Sequence, residues 1–128
     1  MSVLSKYAED KLLDHLLGSS EFTMPANLYV GLFLTDPLDT GTGTEIVGNG
    51  YTRLEATFSS SSNGIATNTN ELEFQADGGD WGHIGYIGIF DASTAGNLIL
   101  FGKSHPERTI QDGDYFTFEI GKLGVRLN

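Results

Sequence analysis

Cysteine is absent from the 128 residues, proline occurs three times, and seven bases stand against seventeen acids. Without thiols the chain can build no disulfide scaffold, no cysteine zinc site and no thiol nucleophile. The formal charge of −10 weighs against a nucleic-acid partner, which needs clustered Lys and Arg, and against an anionic membrane surface. Long apolar runs are also missing. No stretch nears the ~18 residues of a bilayer span. Lys6, Glu9, Asp10, Lys11 and Asp14 interrupt the leucines of residues 1–18, so no signal-peptide core is expected there. Synthesis in the cytoplasm as a soluble protein is the expectation.

Glycine and aromatics, by contrast, are plentiful: 17 Gly, 8 Phe and 5 Tyr. That mixture predicts a turn-rich β protein. One helix is expected, over residues 2–17, where Leu4, Ala8, Leu12 and Leu16 recur every fourth position and Leu13 and Leu17 widen the apolar side. Ser2 or Ser5 can cap it, and Gly18 suits the left-handed residue after its end. From residue 28 the period is two. The apolar run 28–34 suits a strand buried on both faces. Leu54, Ala56 and Phe58, Leu72 and Phe74, the stretches 84–90 and 97–101, Phe116 and Phe118, and finally Leu123, Val125 and Leu127 mark further strands.

About seven or eight short strands with frequent turns predict an all-β fold, a β-sandwich of jelly-roll type with one N-terminal α-helix. No repeat or composition break divides the chain, so 1–128 is read as a single domain. Its irregular part is the Thr/Gly-rich connection 35–50. Connections of that length without structure of their own are commonly functional or mobile. An arm that orders on a neighbouring subunit would suit it, and Asp36, Pro37, Asp39, Gly41, Thr42, Gly43, Thr44 and Glu45 are its candidate interface residues. Leu12 and Leu16 join them as helix positions facing the sandwich or a partner.

Chemical motifs are weak. Gly102-Lys103-Ser104 lacks the earlier glycine of a phosphate loop, and His105-Pro106 opposes the helix that should follow, so a strand end turning through Pro106 is expected. Asp36, Asp39 and Glu45, or Asp77, Asp80 and Asp91, could share a calcium ion, yet the EF-hand spacing is absent. The three histidines fall on different elements with no zinc spacing. No nucleophile elbow occurs. Asp77-Gly78-Gly79-Asp80-Trp81 reads as a glycine turn delivering Trp81 to the core or an interface. No catalytic residue, cofactor or metal ligand is therefore assigned.

The order of segments carries a likeness. The helix ending Lys11-Leu12-Leu13-Asp14-His15-Leu16-Leu17-Gly18 precedes Leu28-Tyr29-Val30-Gly31-Leu32-Phe33, Thr35-Asp36-Pro37 and Gly41-Thr42-Gly43-Thr44-Glu45. Gly50-Tyr51-Thr52-Arg53, Asp80-Trp81-Gly82, Gly88-Ile89-Phe90-Asp91-Ala92, Gly96-Asn97-Leu98 and the Gly113-Asp114 turn follow. In that order the chain resembles a family of small tailed-bacteriophage proteins, virion structural proteins often labelled tail-fibre-like. The resemblance implies a virion component with no catalytic residues. Shortness, the missing fibre repeat and the acidic charge favour an oligomeric capsid decoration or cement protein, a trimer, contacting the major capsid protein or tail proteins. A tail-fibre or tail-tip receptor-binding module is the alternative.

Overall fold

The computed structural model describes residues 3–127. Along the chain run β1 (Val3–Leu4), α1 (Lys6–Leu16), β2 (Leu28–Phe33), β3 (Leu54–Ala56), β4 (Ile65–Thr67), β5 (Leu72–Gln75), β6 (Gly82–Phe90), β7 (Leu98–Ile110), β8 (Tyr115–Phe118) and β9 (Gly124–Arg126). The fold is mostly β with one helix, as the periodicity predicts. A five-stranded sheet, ordered β1-β7-β6-β2-β3, faces two two-stranded sheets, β4-β9 and β5-β8, and every described pairing of strands is antiparallel.

The helix begins later than residue 2. Val3 and Leu4 extend the sheet by pairing with Phe101 and Leu100, and only then does the chain turn helical. Ser5 makes that switch. Its hydroxyl accepts from the Ala8 N–H (3.1 Å) as an N-cap and donates to the Leu98 carbonyl, while its N–H donates to the Ile99 carbonyl at 2.9 Å. One buried side chain thus starts the helix and ties it to β7. Ser2 lies outside the described residues. Gly18, at φ +82°, follows the helix as expected.

Period-two alternation gives the central sheet two different apolar faces. Val30 and Leu32 of β2 stand opposite Ile89 and Ile87 of β6 and point into the main core, which Leu72, Phe74, Phe116, Phe118, Leu123 and Trp81 complete. Phe33, Phe90, Leu98 and Phe101 form a second cluster. That division explains the apolar run of β2, whose last four residues are all buried. Gly31 and Gly88 are direct cross-strand partners at its centre. A Cβ on Gly88 would stand 3.0 Å from each of Leu98, Phe33 and Phe90. The close approach at Gly88 is therefore made by side chains and involves neither a bulge at that position nor another backbone.

β7 does not stop before Pro106. Ile84 pairs with Arg108 and Tyr86 with Lys103, so Gly85 alone spans residues 104–107 of β7. The proline falls inside this bulge, where the ladder makes no demand on its missing N–H. Strand β4 is not among the strands that the sequence alternation marks. Its support is Asn68, 1% exposed just beyond it. The Asn68 amide donates to the Asn70 and Glu119 carbonyls (2.8 and 3.0 Å) and accepts from the Leu123 N–H (2.9 Å), stitching the β4–β5 connection to the β8–β9 turn.

Two substitutions probe this arrangement. Gly88→Val overfills a hollow already at contact distance and is expected to destabilise the fold by about 1–3 kcal/mol in denaturant unfolding. Asn68→Ala strands the Leu123 N–H and two carbonyls, with an expected loss of about 2 kcal/mol. Unchanged midpoints would show that neither position is under the constraint described.

Candidate functional site

The connection 35–50 folds onto its own sheet. Leu34 donates its N–H to the Thr44 carbonyl (2.8 Å), Thr44 to the Thr35 hydroxyl (2.7 Å), and Ile46 to the Leu32 carbonyl (3.1 Å), which extends the outer edge of β2 beyond β3. Its tip also holds the helix start, because the Lys6 N–H donates to the Asp39 carbonyl at 2.9 Å.

Each interface candidate has a place in this loop. Asp36 accepts from the Leu38 N–H (2.9 Å), an Asx turn. Pro37 is buried and its carbonyl takes the Gly43 N–H at 3.2 Å. A Cβ on Gly43 would collide with the Asp36 and Pro37 backbone. Gly41, at φ +75°, lies against Leu98. Thr42 shares a hydroxyl contact with Thr40 at 3.2 Å. Asp36, Pro37, Asp39, Gly41, Gly43 and Thr44 thus serve the loop's own turn. Leu12 is half-buried, whereas Leu16 is 76% exposed, as are Leu13 (57%) and Leu17 (74%). Only Ala8 of the helix is fully buried.

Glu45 does more. Its carboxylate receives both arms of the Arg53 fork, Nε at 2.8 Å and NH2 at 2.9 Å, and the Tyr51 hydroxyl at 2.5 Å. The remaining Arg53 nitrogen donates to the Ala92 and Ala95 carbonyls at 3.0 and 2.8 Å, and the guanidinium lies 3.5 Å from the Phe90 ring centroid. The Tyr51 oxygen in turn accepts the Leu32 N–H (3.0 Å), a β2 edge group that β3 leaves unpaired. Gly31 makes room for all of this, since a Cβ there would stand 2.7 Å from the Glu45 carboxylate and 3.1 Å from the Tyr51 oxygen. The cluster floors a shallow cleft of about 280 Å³ rimmed by Val47, Gly48, Ser93 and Thr94.

Sequence reasoning named Tyr51 and Arg53 only within the Gly50-Tyr51-Thr52-Arg53 segment and gave them no role. The available signal was an arginine, one of only seven bases, in a segment alternating with apolar residues. The Arg53 side chain is 8% exposed, so it requires a partner. Burial raises the Tyr51 hydroxyl well above the ordinary phenol value, helped by the Glu45 carboxylate that accepts its proton. The cluster is thus a locked structural polar group, with Glu45 neutralised by Arg53 rather than free for a cation.

The other candidates do not converge. Asp80 accepts from the Asp112 N–H (2.8 Å), and Asp91 holds Asn97. Among the described residues no three His, Asp or Glu side chains are placed to hold a metal ion. Trp81 enters the main core and donates to the Asn49 carbonyl at 2.9 Å. A second cleft, of about 80 Å³, is lined by Ile87, Lys103, His105, Phe118, Lys122, Leu123 and Gly124.

Comparison with known proteins returns one family. A family model described as "Podophage GP4 fiber I protein gp80" matches residues 3–126. No curated protein matches the chain.

Removing Arg53 leaves the Glu45 carboxylate uncompensated. Arg53→Leu is expected to cost about 3 kcal/mol, at the low end for a buried pair because Glu45 keeps some contact with water. Tyr51 gives a pH signature. Its raised folded value means that the native state keeps a proton the unfolded chain loses near pH 10. Its contribution is therefore complete below about pH 10 and declines as pH rises further. Denaturant unfolding between about pH 9 and 11 should show a steeper loss for the wild type than for Tyr51→Phe. Equal slopes would remove Tyr51 from this role.

Proposed function

The chain belongs to the family described as podophage GP4 fiber I protein gp80, and from that premise we propose that it is a non-enzymatic structural component of a phage tail fibre. Membership implies a virion component that contacts other virion proteins. The family description names a fibre, so it supports the tail reading over the capsid-decoration reading weighed from the sequence.

The observation that carries the assembly part of the proposal is the helix. Leu13 and Leu16 of α1 and Leu17 at its C-cap stand at i, i+3 and i+4, more than half exposed each, while Ala8 and Leu12 fasten the helix to its own sheet. A single domain has no reason of its own to hold three leucines of one helix in water. We assign this face to a second and third copy of the chain, packed helix against helix about a threefold axis. Both signs of charge flank the leucines, with Lys6 and Lys11 among Glu9, Asp10 and Asp14, so like-charge contact need not oppose the packing. A helix of 11 residues is only about 16 Å long, so further contacts along the fibre must add to it.

Light scattering on the purified protein tests this. The expected mass is about three times 13.8 kDa, and Leu16→Asp should shift it to one times that value with the far-UV spectrum and melting unchanged. A wild type that stays at 13.8 kDa at high micromolar concentration would overturn the trimer. Localisation of the protein to the capsid shell in particle images would overturn the fibre assignment itself.

A further inference from the structure

The seven bases of this acidic chain are unevenly used. Lys6 pairs with Asp10 (3.3 Å), Lys11 stands over the Tyr7 ring at 5.9 Å, and Arg53 is saturated by Glu45 and two carbonyls. Lys103 and Lys122 form no ion pair among the described residues, yet both line the 80 Å³ cleft beside β7, with His105. Lys103 and His105 reach one side from alternate positions of β7. Lys122 comes from the turn between β8 and β9, a different element that the Asn68 amide network holds in place.

The carboxylate that interacts with Lys103 and His105 is already engaged. Glu107 accepts from or shares a proton with His83 Nε2 at 3.1 Å, and it lies below the usual carboxylate range, chiefly through that hydrogen bond, with Lys103, His83 and His105 adding positive charge. It does not line the cleft. The floor is apolar, made by Ile87, Phe118 and Leu123. Two ammonium groups and an imidazole around a small hollow with an apolar floor suit a compact anion.

We propose that this cleft binds a single tetrahedral oxyanion of the phosphate class, either free phosphate or the phosphoryl end of a phosphomonoester. This goes beyond the fibre assignment and does not depend on it. Size supports the choice. The volume is that of two to three waters, at roughly 30 Å³ each, which suits a phosphoryl group. Lysine is a point-charge ligand for phosphate and needs no bidentate geometry. The chain's overall charge opposes anions only weakly here. At physiological ionic strength the screening length is about 8 Å, so lysines in direct contact outweigh acids elsewhere on the surface.

The test is an amide-shift titration with inorganic phosphate at constant ionic strength, adjusted with sodium chloride. Saturable shifts confined to Lys103, Lys122, Leu123 and Gly124, with a midpoint of about 1–10 mM, are expected. Lys103→Gln and Lys122→Gln, both at exposed positions, should each weaken binding about tenfold, while Lys6→Gln should not. Glucose 6-phosphate binding as well as phosphate would place a phosphomonoester there; phosphate binding alone would restrict the site to the free ion. Acetate binding with equal affinity would overturn the tetrahedral assignment. Shifts that chloride reproduces, or that survive both substitutions, would overturn the site.

Discussion

A buried ion pair organises this molecule. Arg53 and Glu45 are far apart in structural role, one at the start of the β3 segment and the other in a glycine-rich loop, and neither could be buried alone. Joined, they use both guanidinium arms on the carboxylate and spend the remaining donor on the turn after β6. Three connections thereby share one anchor. The loop 35–50 is tied to the sheet, the 91–96 turn is held in register, and the Tyr51 hydroxyl is oriented to cover the exposed edge of Leu32. Free-energy gain from the pair itself is modest; the cost of separating its members is what enforces the arrangement.

The pair can exist only because the sheet is hollow at one point. Gly31 and Gly88 face each other across β2 and β6, and their missing side chains admit the carboxylate on one side of the hollow and the Phe33, Phe90 and Leu98 side chains on the other. Phe90 then serves both clusters. It stacks on Phe33 with ring centroids 5.9 Å apart and offers its face to the guanidinium. Two adjacent glycines would ordinarily weaken a sheet, and here the neighbouring positions of the same two strands, with apolar side chains on the opposite face, offset that. Val30, Leu32, Ile87 and Ile89 supply them.

The proposed assembly face and the proposed anion site are opposite kinds of surface. The helix shows leucines that the domain does not use, while β7 and the β8–β9 turn show two lysines that form no ion pair among the described residues. Both surfaces are held by buried polar side chains rather than by more apolar area. Ser5 fixes where the helix leaves β7, and Asn68 fixes the turn that carries Lys122. Fully satisfied buried polar groups of this kind specify geometry more than they add stability.

Local signals made much of this legible. Period four in residues 8–16, with Ser5 before and Gly18 after, marks a helix almost irrespective of context, and period two after residue 28 marks strands. An apolar run without polar alternation, as in 28–34, requires cover on both faces, and β2 has it. Those features depend on neighbours within a few positions, so they survive translation from chain to fold. The partition into five, two and two strands, the passage of β7 through Pro106, and the pairing of Val3–Leu4 with β7 depend on partners tens of residues away. So does the fate of the 35–50 loop, whose Thr and Gly content reads as mobility until Arg53 closes on Glu45. Composition determined that the chain is acidic, cysteine-free and β-rich; only tertiary structure decided which charges are spent inside and which are left for a partner, because an ion pair is a property of distance in space and leaves no period in sequence.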